Sequence, residues 1–240
     1  MKLIKTVFCF TVLVLVVILL TPVGFLVVIL SPLGLKKPLS VMIYRIVQGC
    51  SKMLILFTGN KPEVVGRENI PPKGGLCIVS NHDSIFDILL LVAYTGRPIG
   101  FITKKELLLI PFLNILVSML GGLYIDRKNI RSAVRTINKG IERIKAGGCM
   151  LIFPEGHRSR GRGLLPFHSG SLKLATRALA PIVPVAIAGS YRVFEKTYRV
   201  EVAPLKLVFG KPINTVDIPA ADRKQLSNHV YAVIREALSV

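Results

Sequence analysis

His82 and Asp87 stand five residues apart in the run Asn81-His82-Asp83-Ser84-Ile85-Phe86-Asp87, and together they could form a general base. Imidazole has an unperturbed pKa of about 6.5 and accepts a proton near neutrality. A carboxylate on its far ring nitrogen fixes the tautomer and stabilises the imidazolium that forms. The spacing sets a condition on this pairing. On an ideal helix, positions i and i+5 lie about 140° apart and share no face. The two side chains meet only if His82 stands in the turn before a helix and Asp87 in its first turns, with Asp83 or Ser84 as N-cap. Taken alone, a loop histidine beside a helix-opening acid that complements the macrodipole gives the same spacing.

Two further clusters carry charge. The first runs Pro154-Glu155-Gly156-His157-Arg158-Ser159-Arg160-Gly161-Arg162. Gly156 permits a tight turn or a close approach to a ligand. The three arginines resist joint burial, so they face solvent or hold an anion, for which the guanidinium fork suits phosphate. Glu155, at a strand's end, could accept hydrogen bonds from a polyol. The second cluster is Tyr124-Ile125-Asp126-Arg127, where Asp126 and Arg127 make either a surface ion pair or a phosphate contact.

These clusters follow apolar runs that read as strands. Strands are expected at Glu63–Gly66, Leu76–Ser80, Ile99–Thr103, Leu123–Asp126, Cys149–Pro154, Ile182–Ala188 and Leu205–Phe209. Helices are expected at Phe86–Tyr94, Pro111–Leu120, Asn129–Ala146, Ser171–Leu179 and Ala220–Leu238, the last with Asp217 and Pro219 as start signals. The alternation predicts an α/β fold with a mostly parallel central sheet flanked by helices. His82, Arg127 and Glu155 would then share the carboxyl edge, where open α/β sheets bind ligands.

The N-terminus is of another kind. From Thr6 to Leu35 no residue is charged. As a helix this stretch would reach about 45 Å, more than the hydrocarbon core of about 30 Å. Membrane insertion is the expectation, and no small-x-small cleavage site supports a signal peptide. Pro22 and Gly24 either kink one long helix or turn a re-entrant hairpin. Positive charges flank both ends, which favours both ends on one side of the membrane. Three segments follow: 1–37 transmembrane or re-entrant, 38–58 an interfacial or packing helix, and 59–240 the α/β domain.

Lys and Arg number 32 against 13 Asp and Glu, a formal net charge of +19. Without a nucleic-acid module or a Trp, and with a membrane segment, this charge suits an anionic membrane surface or a phosphorylated ligand rather than nucleic acid. Cys9, Cys50, Cys77 and Cys149 show no metal-ligand spacing and read as reduced, buried thiols.

In order along the chain, four blocks resemble the glycerophospholipid acyltransferase superfamily, close to its PlsC-type 1-acylglycerol-3-phosphate acyltransferases. They are Asn81 to Asp87; Lys105-Glu106-Leu107 with Pro111, Gly121 and Ile125-Asp126-Arg127; Phe153 to Ser159; and Ile182-Val183-Pro184-Val185. The resemblance implies His82 as general base, oriented by Asp87. It places Arg127, Glu155, Gly156, His157, Arg158 and Ser159 at the lysophospholipid acceptor, and the fourth block on the acyl side of the site. It implies transfer of an acyl group from acyl-ACP or acyl-CoA to the sn-2 hydroxyl of lysophosphatidic acid, giving phosphatidic acid. No bound cofactor or metal is expected. The partners are the lysolipid, an anionic membrane surface and acyl carrier protein, at a bacterial-type inner membrane with the catalytic domain on the cytoplasmic face. One position departs: the family usually has Thr where this chain has His157, which opens the choice of acceptor to another lysolipid or glycerol-3-phosphate. An acyl hydrolase using the same pair, or a membrane-anchored lipid-binding module, are the remaining readings.

Overall fold

A computed structural model describes residues 2–29, 36–168, 170–216, 218–219 and 222–239. Seven strands form one sheet: β1 (Glu63–Val65), β2 (Leu76–Ser80), β3 (Ile99–Lys104), β4 (Leu123–Ile125), β5 (Cys149–Ile152), β6 (Ile182–Ala188) and β7 (Lys206–Phe209). Their spatial order is β1-β7-β6-β2-β5-β3-β4. Neighbours run parallel except β6 and β7, which are antiparallel. The central strands β2 and β5 are buried along their whole length, as their unbroken apolar runs require.

The helices are α1 (Lys2–Ile29), α2 (Lys36–Phe57), α3 (Phe86–Tyr94), α4 (Leu113–Met119), α5 (Ile130–Lys145), α6 (Lys173–Ala178), α7 (Ser190–Val193) and α8 (Arg223–Ser239). Leu76–Ser80, Ile182–Ala188 and Phe86–Tyr94 fall at the predicted bounds, and the other elements begin or end within a few residues of theirs. Sequence periodicity missed the short α7 and the 3₁₀ turns at Arg67–Asn69 and Lys105–Leu109. The expected start signal Asp217 and residues 220–221 lie outside the described residues.

Two apolar cores sandwich the sheet. One contains Leu76, Ile78, Leu90, Leu91, Val183 and Phe209 and continues into Ile43, Tyr44 and Ile55 of α2. The other holds Cys77, Val79, Ile144, Leu174, Val230 and Ile234 under α5, α6 and α8. Cys9, Cys77 and Cys149 are buried free thiols, and Cys50 is partly buried.

Of the two forms expected at Pro22 and Gly24, the structure has one long helix: α1 passes through both. Proline removes a backbone donor. Beside it, Thr21 turns its hydroxyl back onto the Val17 carbonyl at 2.8 Å. At Gly24, α1 packs closely on α4: a Cβ there would sit 2.9 Å from Ile115 Cγ2 and closer still to Met119. At its other end α1 is tied to the domain by a Lys2–Glu201 ion pair of 3.0 Å. Nearby, Thr6 Oγ1 accepts from the Val200 N–H at 2.7 Å.

Both α1 and α2 are long and apolar enough to cross a membrane. α2 is nonetheless fixed to the domain on one face. There the Tyr44 hydroxyl donates to Val92 O at 3.3 Å, and the Gln48 amide donates to Val92 O and Ala93 O. Its other face exposes Val41, Met42, Ile46, Met53 and Leu56, and α1 exposes Ile4, Leu15, Leu19, Phe25 and Ile29.

Candidate active site

β2 ends at Ser80, and Asn81 extends its pairing with a side chain. The Asn81 amide donates to Ile187 O at 2.9 Å and accepts from Ile187 N at 2.8 Å, as a strand backbone would. This clamp on β6 delivers His82 just beyond the sheet's carboxyl edge. Asp87 sits in the first turn of α3, fully buried, and its Oδ2 lies 2.8 Å from His82 Nδ1. The histidine precedes the helix and the acid lies inside it, so the i, i+5 pair meets as the geometry demands.

The turn is capped differently from the expectation. Ile85, not Asp83 or Ser84, is the N-cap residue. Asp87 Oδ2 instead reaches back and accepts the Asp83 and Ser84 N–H groups at 2.7 and 2.8 Å. Ser84 Oγ accepts from Phe86 N at 3.0 Å. The carboxylate thus satisfies two backbone donors of the turn before the helix while holding the imidazole. Its other oxygen, Oδ1, is buried with no hydrogen-bond partner among the described residues.

A carboxylate only accepts, so Nδ1 carries the hydrogen and Nε2 keeps a lone pair. The ring is further fixed by stacking on Phe153, with centroids 4.0 Å apart and planes 15° from parallel. Its side chain remains 15% exposed. A base with one oriented nitrogen and one open nitrogen can take a proton from a hydroxyl that enters from the open side.

β5 neighbours β2 in the sheet, and its carboxyl end supplies the next residues. Glu155 is 1% exposed. Its Oε1 accepts the His82 N–H at 2.7 Å and its Oε2 the Leu165 N–H at 3.0 Å. Burial pushes its pKa up to about 7, against the pull of these two N–H donors and the nearby His82. Ser159 ties the two strand ends together. Its N–H donates to His82 O at 2.7 Å, and its hydroxyl donates to Asp83 Oδ1 at 2.6 Å. Asp83 Oδ1 also accepts from Gly161 N at 2.6 Å.

A sequence model described as Acyltransferase matches residues 61–188, which span all of these elements. The chain belongs to the acyltransferase family. It is 31% identical over 207 residues to a probable 1-acyl-sn-glycerol-3-phosphate acyltransferase of Mycoplasma pneumoniae, covering 81% of this chain and 76% of that one. It is 34% identical over 153 residues to the 1-acyl-sn-glycerol-3-phosphate acyltransferase of Borreliella burgdorferi, covering 64% of this chain and 61% of that one. The crystal structure of the 1-acyl-sn-glycerophosphate (LPA) acyltransferase PlsC from Thermotoga maritima superposes with a TM-score of 0.83. That alignment has 25% identity and covers 98% of this chain and 94% of the other.

The rim of this acyltransferase's site is more open. Arg127, just past β4, is exposed and donates from Nη1 to Gly156 O at 2.6 Å. Asp126 pairs with Lys105 instead, at 2.6 Å, so Arg127 is not spent on its neighbour. Gly156 has φ 73°, and a Cβ there would lie 2.9 Å from the His168 ring and 3.4 Å from Arg127 Nη1. His157 is exposed and makes no hydrogen bond among the described residues. Arg158 donates from Nη1 to Glu195 Oε1 at 2.9 Å.

Of the residues expected to contact the acceptor, Arg127, Gly156, His157 and Arg158 therefore reach the rim, whereas Glu155 and Ser159 face inward. A buried carboxylate already accepting two backbone N–H groups has little left for a polyol. Sequence reasoning missed the roles of Asn81 and Phe153. It missed Glu195 altogether. The available signal was scarcity: a chain with only 13 acids places one alone between Arg192 and Lys196. Among the described residues the only buried carboxylates are Asp87, Glu155 and Glu195, and all three surround the 82–85 turn.

Proposed function

We propose that this acyltransferase moves a fatty acyl group from an acyl thioester to the sn-2 hydroxyl of lysophosphatidic acid, giving phosphatidic acid. The observation that carries the reading is the His82 imidazole, with Nδ1 held by Asp87 and Nε2 open beside a cationic rim. His82 Nε2 takes the proton of the acceptor hydroxyl as that oxygen attacks the thioester carbonyl. The buried Asp87 carboxylate stabilises the resulting imidazolium. Collapse of the tetrahedral intermediate breaks the carbon–sulfur bond, and the imidazolium returns the proton to the leaving thiolate. The thioester is already activated, so no acyl-enzyme is required. Arg127 and Arg158, with His157 and the turn at Gly156, hold the acceptor's phosphate. Glu155 and Ser159 hold the 82–85 turn in place.

The substrate's membrane origin fits the apolar outer faces of α1 and α2. Both ends of α1 are tied to the α/β domain, so the domain stays at the membrane surface with its helices in lipid. Leu108, Leu109, Ile110 and Phe112 are exposed just past the carboxyl end of β3, on the site's side of the sheet. They form an apolar approach for a lysolipid. The donor, acyl-ACP or acyl-CoA, arrives from the cytoplasm, drawn in either case to a +19 chain. His157 favours a second reading, in which the acceptor is another lysolipid or glycerol-3-phosphate.

An acceptor screen with purified protein in mixed micelles and labelled acyl thioester tests this. Phosphatidic acid is expected as the main product from lysophosphatidic acid. Free fatty acid alone would make the protein a hydrolase. Preference for a different acceptor, restored to lysophosphatidic acid by His157→Thr, would establish the second reading.

A further inference from the structure

Glu195 is a buried acid that the mechanism above does not use. It follows the short helix α7, on the far side of the site from β5, and its side chain is only 2% exposed. Three donors converge on it. The Ile85 N–H reaches Oε1 at 2.7 Å, the Ser84 hydroxyl reaches Oε2 at 2.5 Å, and Arg158 Nη1 reaches Oε1 at 2.9 Å. Ile85 is the N-cap of α3, so its N–H would otherwise have no acceptor, and Ser84 N is already bound to Asp87. One carboxylate therefore binds both the turn between His82 and Asp87 and the guanidinium expected to meet the acceptor. The Arg158 side chain is 34% exposed, and its guanidinium spends one of its five N–H donors here, its only hydrogen bond among the described residues.

We infer that Glu195 is a positioning residue for acyl transfer, fixing the Arg158 guanidinium at a set place relative to the turn that carries His82. Arg158 then offers its free N–H groups to a phosphate at a distance that brings the acceptor's hydroxyl to Nε2. Without the carboxylate, the arginine samples other rotamers and the acceptor binds out of register. The segment bearing Glu195 is itself anchored. Phe194 packs on Phe10 of α1 and Phe86 of α3, with centroids 5.1 and 6.4 Å away, and Glu201 N donates to Val193 O at 2.9 Å.

This inference rests on Arg158 binding the acceptor as proposed above, and the test separates the two. Glu195→Gln keeps the size and an acceptor oxygen but removes the charge that holds Arg158. With lysophosphatidic acid and an acyl thioester, the acceptor KM is expected to rise about tenfold while the donor KM stays unchanged. In an Arg158→Ala background the same substitution is expected to change the acceptor KM by less than about twofold, because the residues act as one unit. A purely structural role would move both KM values or add undiminished to Arg158→Ala. Either of those results, or an unchanged acceptor KM in Glu195→Gln, overturns the inference. If Arg158→Ala itself leaves the acceptor KM unchanged, the acceptor-site reading falls and this role of Glu195 with it. If Glu195→Gln does not fold, Glu195→Asp, which keeps the charge but retracts it, carries the same comparison.

Discussion

The turn carrying His82, past β2, and the rim carrying Arg127 and His157, past β4 and β5, lie along one edge of the sheet but are built in opposite ways. In the turn, three buried carboxylates accept backbone N–H groups from residues 82 to 85. The imidazole is stacked on Phe153, and the Asn81 amide is paired on both sides with Ile187. At the rim, Arg127 makes one hydrogen bond, to Gly156 O, and His157 makes none among the described residues. In the proposed reaction the difference separates two tasks. Proton transfer requires a fixed nitrogen, and a fully bonded turn supplies it. Catching a charged headgroup at a membrane surface requires accessible cations, and long exposed side chains supply those.

The comparison breaks first at Asp87. In Asp87→Asn, an amide oxygen in the place of Oδ2 keeps the contacts to Asp83 and Ser84, while the NH₂ falls where Oδ1 now has no partner. The turn should persist, but the imidazolium loses its counter-charge. A kcat loss of about 10³–10⁴-fold is expected in steady-state transfer assays, with a far smaller change in acceptor KM. An acceptor-KM effect alone would mean that Asp87 belongs with the rim.

Glu155 sharpens the same contrast through stability. Its pKa of about 7 in the fold lies above the ordinary 4.5, so between those values the folded state holds a proton the unfolded chain has released. This contribution is fully present below about pH 4.5 and is lost as pH rises through 7. Urea unfolding across that range should show stability declining with pH, and Glu155→Gln should remove most of that slope. The same substitution sets an NH₂ group against the His82 or Leu165 N–H, so a further loss of about 1–3 kcal/mol is expected at pH 5. An unchanged slope would show Glu155 titrating as an exposed acid does. Arg127→Ala should have the smallest effect. The acceptor KM is expected to rise several-fold, with kcat within about twofold and the melting temperature unmoved.

Much of this arrangement could be read from the sequence because it rests on local patterns. Unbroken apolar runs such as Leu76–Ser80 and Ile182–Ala188 mark buried strands, and residues that follow them must sit at the sheet's edge. The i, i+5 spacing required His82 to stand outside the helix of Asp87. What escaped depends on contacts distant in sequence. The direction of β7, antiparallel to β6, leaves no trace in periodicity. The N-cap was misplaced by one residue: Ser84 Oγ accepts the first helical N–H, from Phe86, but Ile85 stands between Ser84 and the helix. Glu155 and Glu201 look alike as isolated acids, yet one is buried under His82 and the other pairs with Lys2 at the surface. Glu195 meets Ile85 across 110 residues, a contact that only the fold creates.

The central claim is that His82 Nε2 takes the acceptor's proton, and substituting His82→Ala tests it most directly. Transfer of labelled acyl groups from a thioester to lysophosphatidic acid should fall by at least about 10²–10⁴-fold in a protein that still folds and unfolds cooperatively. Wild-type rates of transfer in His82→Ala would contradict the account.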